Sequence, residues 1–127
     1  GEVGHMVIDV NGPKCNCGNK GCFEVLAGRL AIFRSIQAAI KNGEKSELTG
    51  MLGEDLKDLR SGDIRKAIRR GDKVVEKIVE EAAEYTGIAV ANLVNIFSPE
   101  IVVLGGGVMV ALEEEARKEG ALPGWLR

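Results

Sequence analysis

The chain has 127 residues, 45% of them hydrophobic and 28% charged, enough for one soluble domain with a buried core and too few for two. A formal net charge of −2 argues against nucleic acid as a partner, which would call for a clustered basic face, and no apolar run approaches the ~20 residues of a membrane span. The stretch Gly1-Glu2-Val3-Gly4-His5 has no initiator Met and no signal-peptide pattern, so the expectation is a cytoplasmic protein of which this is a piece.

Met6 to Val10 is an apolar run bounded by Asn11-Gly12-Pro13, which predicts a short strand ending in a turn. Lys14 to Gly21 carries turn residues and cysteines without periodicity, and reads as a loop. From Phe23 to about Lys41, the residues Leu26, Leu30, Phe33, Ile36 or Gln37, and Ile40 recur three or four apart. That spacing predicts one helix with a single buried stripe, stopped at Asn42-Gly43. Residues 43–62 are polar and mixed, a connection with a short helical turn. Asp63 is placed to cap a helix over Ile64, Ala67 and Ile68 that ends at Gly71. Asp72 is placed to cap a long helix with the stripe Val75, Ile78, Val79, Ala82, Thr86, Ala89, Leu93 and Ile96, and with Glu76, Glu80, Glu81 and Glu84 on its wet side. Ser98-Pro99 ends it, because the residue before proline is pushed out of the helical region. Ile101-Val102-Val103-Leu104 then predicts a strand buried on both faces, followed by the turn Gly105-Gly106-Gly107 and a helix from about Val108 to Lys118. The order is α/β with too few strands for a sheet, so further strands are expected from outside this chain or from a partner copy.

Three cysteines cannot all pair within one chain, and Cys15, Cys17 and Cys22 crowd into one loop beside His5, the chain's one histidine. One imidazole and three thiols suit zinc, a tetrahedral and borderline-soft ion that takes Cys₃His as a closed structural site. The alternative is three small hydrophobes and a surface histidine. The C-x-C spacing is tighter than the commoner C-x₂-C, but four soft ligands seldom cluster by chance.

The segments Glu2-Val3-Gly4-His5-Met6 and Gly12-Pro13-Lys14-Cys15-Asn16-Cys17-Gly18-Asn19-Lys20-Gly21-Cys22-Phe23-Glu24 closely resemble the E-x-G-H and C-x-C-G-x-x-G-C-x-E signature of the ROK family of bacterial sugar kinases and sugar-responsive repressors. The resemblance implies structural zinc on His5, Cys15, Cys17 and Cys22. It also implies that Glu2, His5 and Glu24 contact sugar hydroxyls, although by composition alone both glutamates read as solvated surface charge. The chemistry is consistent: carboxylates accept from hydroxyls, and a histidine bound to metal through one nitrogen keeps the other as a donor.

On motif grounds alone, Gly105-Gly106-Gly107 is a tight strand-to-helix turn, neither G-x-G-x-x-G nor a Walker loop. The resemblance implies that it lines an ATP site, and that its retention favours a kinase over a repressor. The implied fold is part of the C-terminal lobe of an actin-like (ribonuclease H-like) ATPase with a zinc-binding loop. Residues 1–24 would form the zinc and sugar segment, 25–97 a helical region, and 98–127 the nucleotide side. The implied activity is that of a glucokinase-like hexose kinase using ATP and Mg²⁺, working with an N-terminal lobe and as a homo-oligomer. The D-x-G-x-T phosphate loop is absent, and Asp9, Asp55, Asp58, Asp63 and Asp72 match no family position for the catalytic base, so no catalytic residue is expected here and the segment alone should be inactive. The alternative is the effector-binding domain of a ROK-type repressor.

Overall fold

The computed structural model describes residues 2–53 and 55–109, and among these described residues five α-helices and one 3₁₀ turn carry the fold. The helices are α1 (Phe23–Ala27), α2 (Arg29–Lys41), α3 (Glu47–Leu52), α4 (Ser61–Arg69) and α5 (Lys73–Phe97), and the 3₁₀ turn is Val3–His5. Two compact units are built from them. One comprises residues 2–32 with 79–103, the other 33–78 with 104–109.

In the first unit the cysteine loop folds back on itself. An isolated antiparallel bridge joins Lys14 and Lys20, and Cys15 N–H donates to Asn19 O at 2.8 Å. Gly21 is the crossing point: its N–H donates to Pro13 O, and its carbonyl accepts from Ile8 and Asp9. With φ +71°, and with space for a Cβ only 1.5 Å from Asp9 O, this position admits no side chain. The expected strand over Met6–Val10 is therefore not formed. Its backbone is spent on the loop, through a single bridge from Val7 to Cys22 and a bond from Phe23 N–H to Met6 O. Among the described residues β pairing goes no further than these two bridges.

The single helix expected from Phe23 to Lys41 is two. Gly28 leaves the helical region at ψ 159°, so α1 closes there and α2 restarts one residue later. The restart changes the phase: Ile32, Ile36 and Ala39 are buried, whereas the expected stripe residue Leu30 is 64% exposed. α1 packs on the 3₁₀ turn, which brings Glu24 beside the Glu2-to-His5 segment.

In the second unit α3 packs on α4, over a core that includes Ile36, Leu48, Leu56, Ile64, Ala67 and Val75. Ser46 caps α3 by accepting from Leu48 N–H. Asp63 is the third residue of α4, not its N-cap: its carboxylate reaches back to accept from Arg60 N–H at 2.9 Å, as an acidic residue in a first turn does. Asp72 caps α5 as expected, accepting from Val75 N–H at 3.1 Å. Its other oxygen accepts from Glu47 N–H at 3.0 Å and from the Ser46 hydroxyl, so one buried carboxylate ties the starts of α3 and α5 together. On α5, Val75, Val79, Ala82 and Ala89 are buried as expected, and Ile96 is exposed.

α5 stops at Phe97, with Ser98 at φ +45° before Pro99. Ile101–Leu104, expected as a strand buried on both faces, is neither paired nor buried, and Val103 is 86% exposed. The cause is the lack of any neighbouring strand among the described residues, since an apolar run of this kind forms a ladder only against a partner. Helical backbone begins again at Gly107, and the remainder of the expected Val108–Lys118 helix lies largely outside the described residues.

Candidate functional site

His5 stands at the end of the 3₁₀ turn, Cys15 and Cys17 on the folded loop, and Cys22 at the N-cap of α1. Their ligand atoms all lie within 4.8 Å of one another. His5 Nδ1 is 3.4 Å from Cys15 Sγ, and Cys17 Sγ is 3.5 Å from Cys22 Sγ. The sulfur separation is too long for a disulfide and close to the ~3.7 Å edge of a tetrahedron with ~2.3 Å metal–sulfur bonds. Three thiols and an imidazole at this spacing could hold a metal ion.

The protonation of the cluster follows its surroundings. The Asn19 backbone N–H, with help from the Cys22 thiol, lowers the Cys17 thiol to about 7. Burial, with the neighbouring thiols, pushes Cys22 up to about 12. Capture of a cation by all four groups would displace protons, since only thiolates ligate.

The other face of the histidine is polar. Nε2 lies 3.4 Å from Glu2 Oε2 and 3.9 Å from Glu24 Oε2, and both carboxylates are largely exposed, at 82% and 64%. One ring thus faces thiols with one nitrogen and carboxylates with the other. Gly4 lies against the Glu24 side chain, where a Cβ would stand at ordinary contact, 3.4 Å from Glu24 Cβ and 3.6 Å from Glu24 Oε2. Neither Glu2 nor Glu24 is buried enough to be held by packing, so they remain free to accept from a ligand's hydroxyls.

A contact missed in the sequence supports the same edge. Asn92 on α5 donates through Nδ2 to Met6 Sδ at 3.9 Å, next to His5. Amphipathic spacing does not mark this residue, which lies beside the stripe.

The residues Gly105, Gly106 and Gly107 sit in the second unit, at the start of helical backbone. A Cβ on Gly105 or Gly106 would meet nothing within 4 Å, and Gly106 has φ +118°. Two of the three glycines therefore present open backbone.

The chain matches the ROK family over residues 1–115. It is 37% identical over 112 residues to a glucokinase of Thermotoga maritima, covering 88% of this chain and 35% of that one. It is 38% identical over 105 residues to the xylose repressor of Caldicellulosiruptor bescii, covering 83% of this chain and 26% of that one. Its structure resembles the ROK hexokinase of Thermus thermophilus with a TM-score of 0.68 and 32% identity, over 96% of this chain and 40% of that one. The chain thus spans about a quarter to a third of the length of these curated relatives, among which are both sugar kinases and sugar-responsive repressors. On the extent of the family match and on the cysteine and histidine cluster that the fold assembles, the chain belongs to the ROK family.

Proposed function

We propose that this chain is part of an ATP-dependent hexose kinase, supplying the sugar-reading edge and one wall of the nucleotide site within the C-terminal lobe of an actin-like ATPase. The observation that carries the proposal is the two-faced histidine: His5 aims Nδ1 at Cys15 and Nε2 at Glu2 and Glu24. His5, Cys15, Cys17 and Cys22 would hold zinc, which would supply a rigid cross-link rather than Lewis-acid chemistry. Were Nδ1 to ligate the metal, the proton of a neutral ring would sit on Nε2 and make it a hydrogen-bond donor. Glu2 and Glu24 accept from sugar hydroxyls and His5 donates to a sugar oxygen, so the three fix the orientation of the ring.

Phosphoryl transfer depends mostly on positioning and charge stabilisation. The hexose hydroxyl oxygen attacks the γ-phosphorus, its proton passes to a carboxylate supplied from outside this chain, and ADP leaves. Gly105 and Gly106 leave backbone open at a helix start, where an approaching nucleotide meets no side chain. This turn favours a kinase. The 38% identity to a xylose repressor favours a second reading, in which the same sugar edge serves as the effector site of a repressor.

Kinetics of the full-length protein separate the two. Hexose-dependent conversion of MgATP to ADP and hexose phosphate is expected, and hexose binding without turnover would support the repressor reading. In the kinase, Glu2→Gln and Glu24→Gln are expected to weaken hexose about ten- to a hundredfold, because an amide presents a donor where an acceptor is needed. MgATP should be little affected. Equal losses for both ligands would refute the assignment of this edge to the sugar.

A further inference from the structure

The three glycines of the turn are not equivalent. A Cβ on Gly105 or Gly106 would stand in open space, whereas a Cβ on Gly107 would fall 2.9 Å from Ser61 Oγ and 3.4 Å from Ser61 Cβ. Ser61 is the first residue of α4, and Gly107 is where helical backbone resumes after the turn. Two helix starts therefore meet side chain to backbone, and the residue next to Gly107, Val108, is buried. α4 is itself fixed, with Asp63 accepting from Arg60 N–H and with Ile64 and Ala67 fully buried.

We propose that Ser61 is a positioning residue for the nucleotide wall: its side chain occupies the space that Gly107 leaves vacant, so α4 sets where the Gly105–Gly106 backbone stands. On this view Gly107 is glycine for close packing, Gly106 for its φ of +118°, and Gly105 for the ligand. The role assigned to Ser61 rests on the reading of the turn as a nucleotide wall, and it makes no contact with the nucleotide itself.

Swapping the two sizes tests the idea. In the full-length protein, Gly107→Ala drives a methyl against the Ser61 hydroxyl and is expected to raise KM for MgATP on the order of tenfold, with KM for hexose unchanged. Ser61→Ala removes that hydroxyl and leaves the methyls of the double variant at ordinary contact. The Ser61→Ala/Gly107→Ala protein should therefore return to within about threefold of the wild-type KM for MgATP, a non-additivity that only touching residues show. Melting temperatures of the same four proteins should show the same rescue.

A double variant as impaired as Gly107→Ala alone would overturn the proposal. Gly105→Val, at an open position without a positive φ, keeps that failure apart from failure of the nucleotide reading. If Gly105→Val still raises KM for MgATP, the wall stands and only the role of Ser61 falls. If both Gly105→Val and Gly107→Ala leave KM for MgATP unchanged, the wall itself is refuted, and the positioning role with it.

Discussion

His5 faces Cys15 with one ring nitrogen and Glu2 and Glu24 with the other, so on the proposed reading one residue serves both the cysteine cluster and the sugar edge. Cys17 is the exposed member of the cluster, so its own packing adds little stability. Cys17→Ser is accordingly expected to abolish tight zinc binding, and to remove the difference in melting temperature between zinc-loaded and chelator-treated protein. A variant that keeps one zinc per chain and the zinc-dependent melting shift would contradict the assignment. Gly21 offers a test that does not involve the metal directly. With φ +71° and Asp9 O in the way, Gly21→Ala should destabilise by about 3 kcal/mol, read as a shift in urea midpoint, because both the backbone and the neighbour must move. The clustering of His5 with Cys15, Cys17 and Cys22 was legible in the sequence because these residue types are rare and crowded. The division of the ring between thiols and carboxylates was not, because it depends on a 3₁₀ turn that no periodicity announces.

At the scale of elements, helices were easier to read than strands. The long helix over Lys73–Phe97, its cap at Asp72 and its stop before Pro99 follow from local signals: a carboxylate at the N-cap, a 3.6-residue stripe and the restriction before proline. The break at Gly28 escaped because the apolar spacing runs through it without interruption. The expected strands at Met6–Val10 and Ile101–Leu104 have the right residues, but a strand needs a partner and local composition cannot supply one. Asp72 shows how much a single position can carry beyond its local role. It caps α5 and also accepts from Ser46 and Glu47 at the start of α3, from a buried position. Asp72→Ala strands these donors and should cost about 3 kcal/mol, with a fall in melting temperature on the order of 10 °C. Asp72→Asn keeps an acceptor for Val75 N–H and should cost clearly less. Equal melting of the two variants would show that the oxygen facing Val75 N–H adds nothing.

At the scale of the molecule, the chain carries the proposed sugar edge and the glycine turn, while its match covers 35% of the Thermotoga maritima glucokinase. The exposed apolar run Ile101–Leu104 fits a lobe whose sheet is completed by chain beyond these residues. No Asp-x-Gly-x-Thr loop occurs in the sequence, so the 127-residue chain by itself should show no hexose phosphorylation, and measurable turnover by the pure chain would mean that the catalytic groups lie within it. The central claim is that a metal held by His5, Cys15, Cys17 and Cys22 orients the residues that read the sugar. Hexose affinity measured by calorimetry on the full-length protein, before and after removal of zinc, tests it most directly. The expected result is a loss of about tenfold or more on removal, with recovery when zinc is restored. Metal-free protein that stays folded and binds hexose as tightly as the loaded form would contradict it.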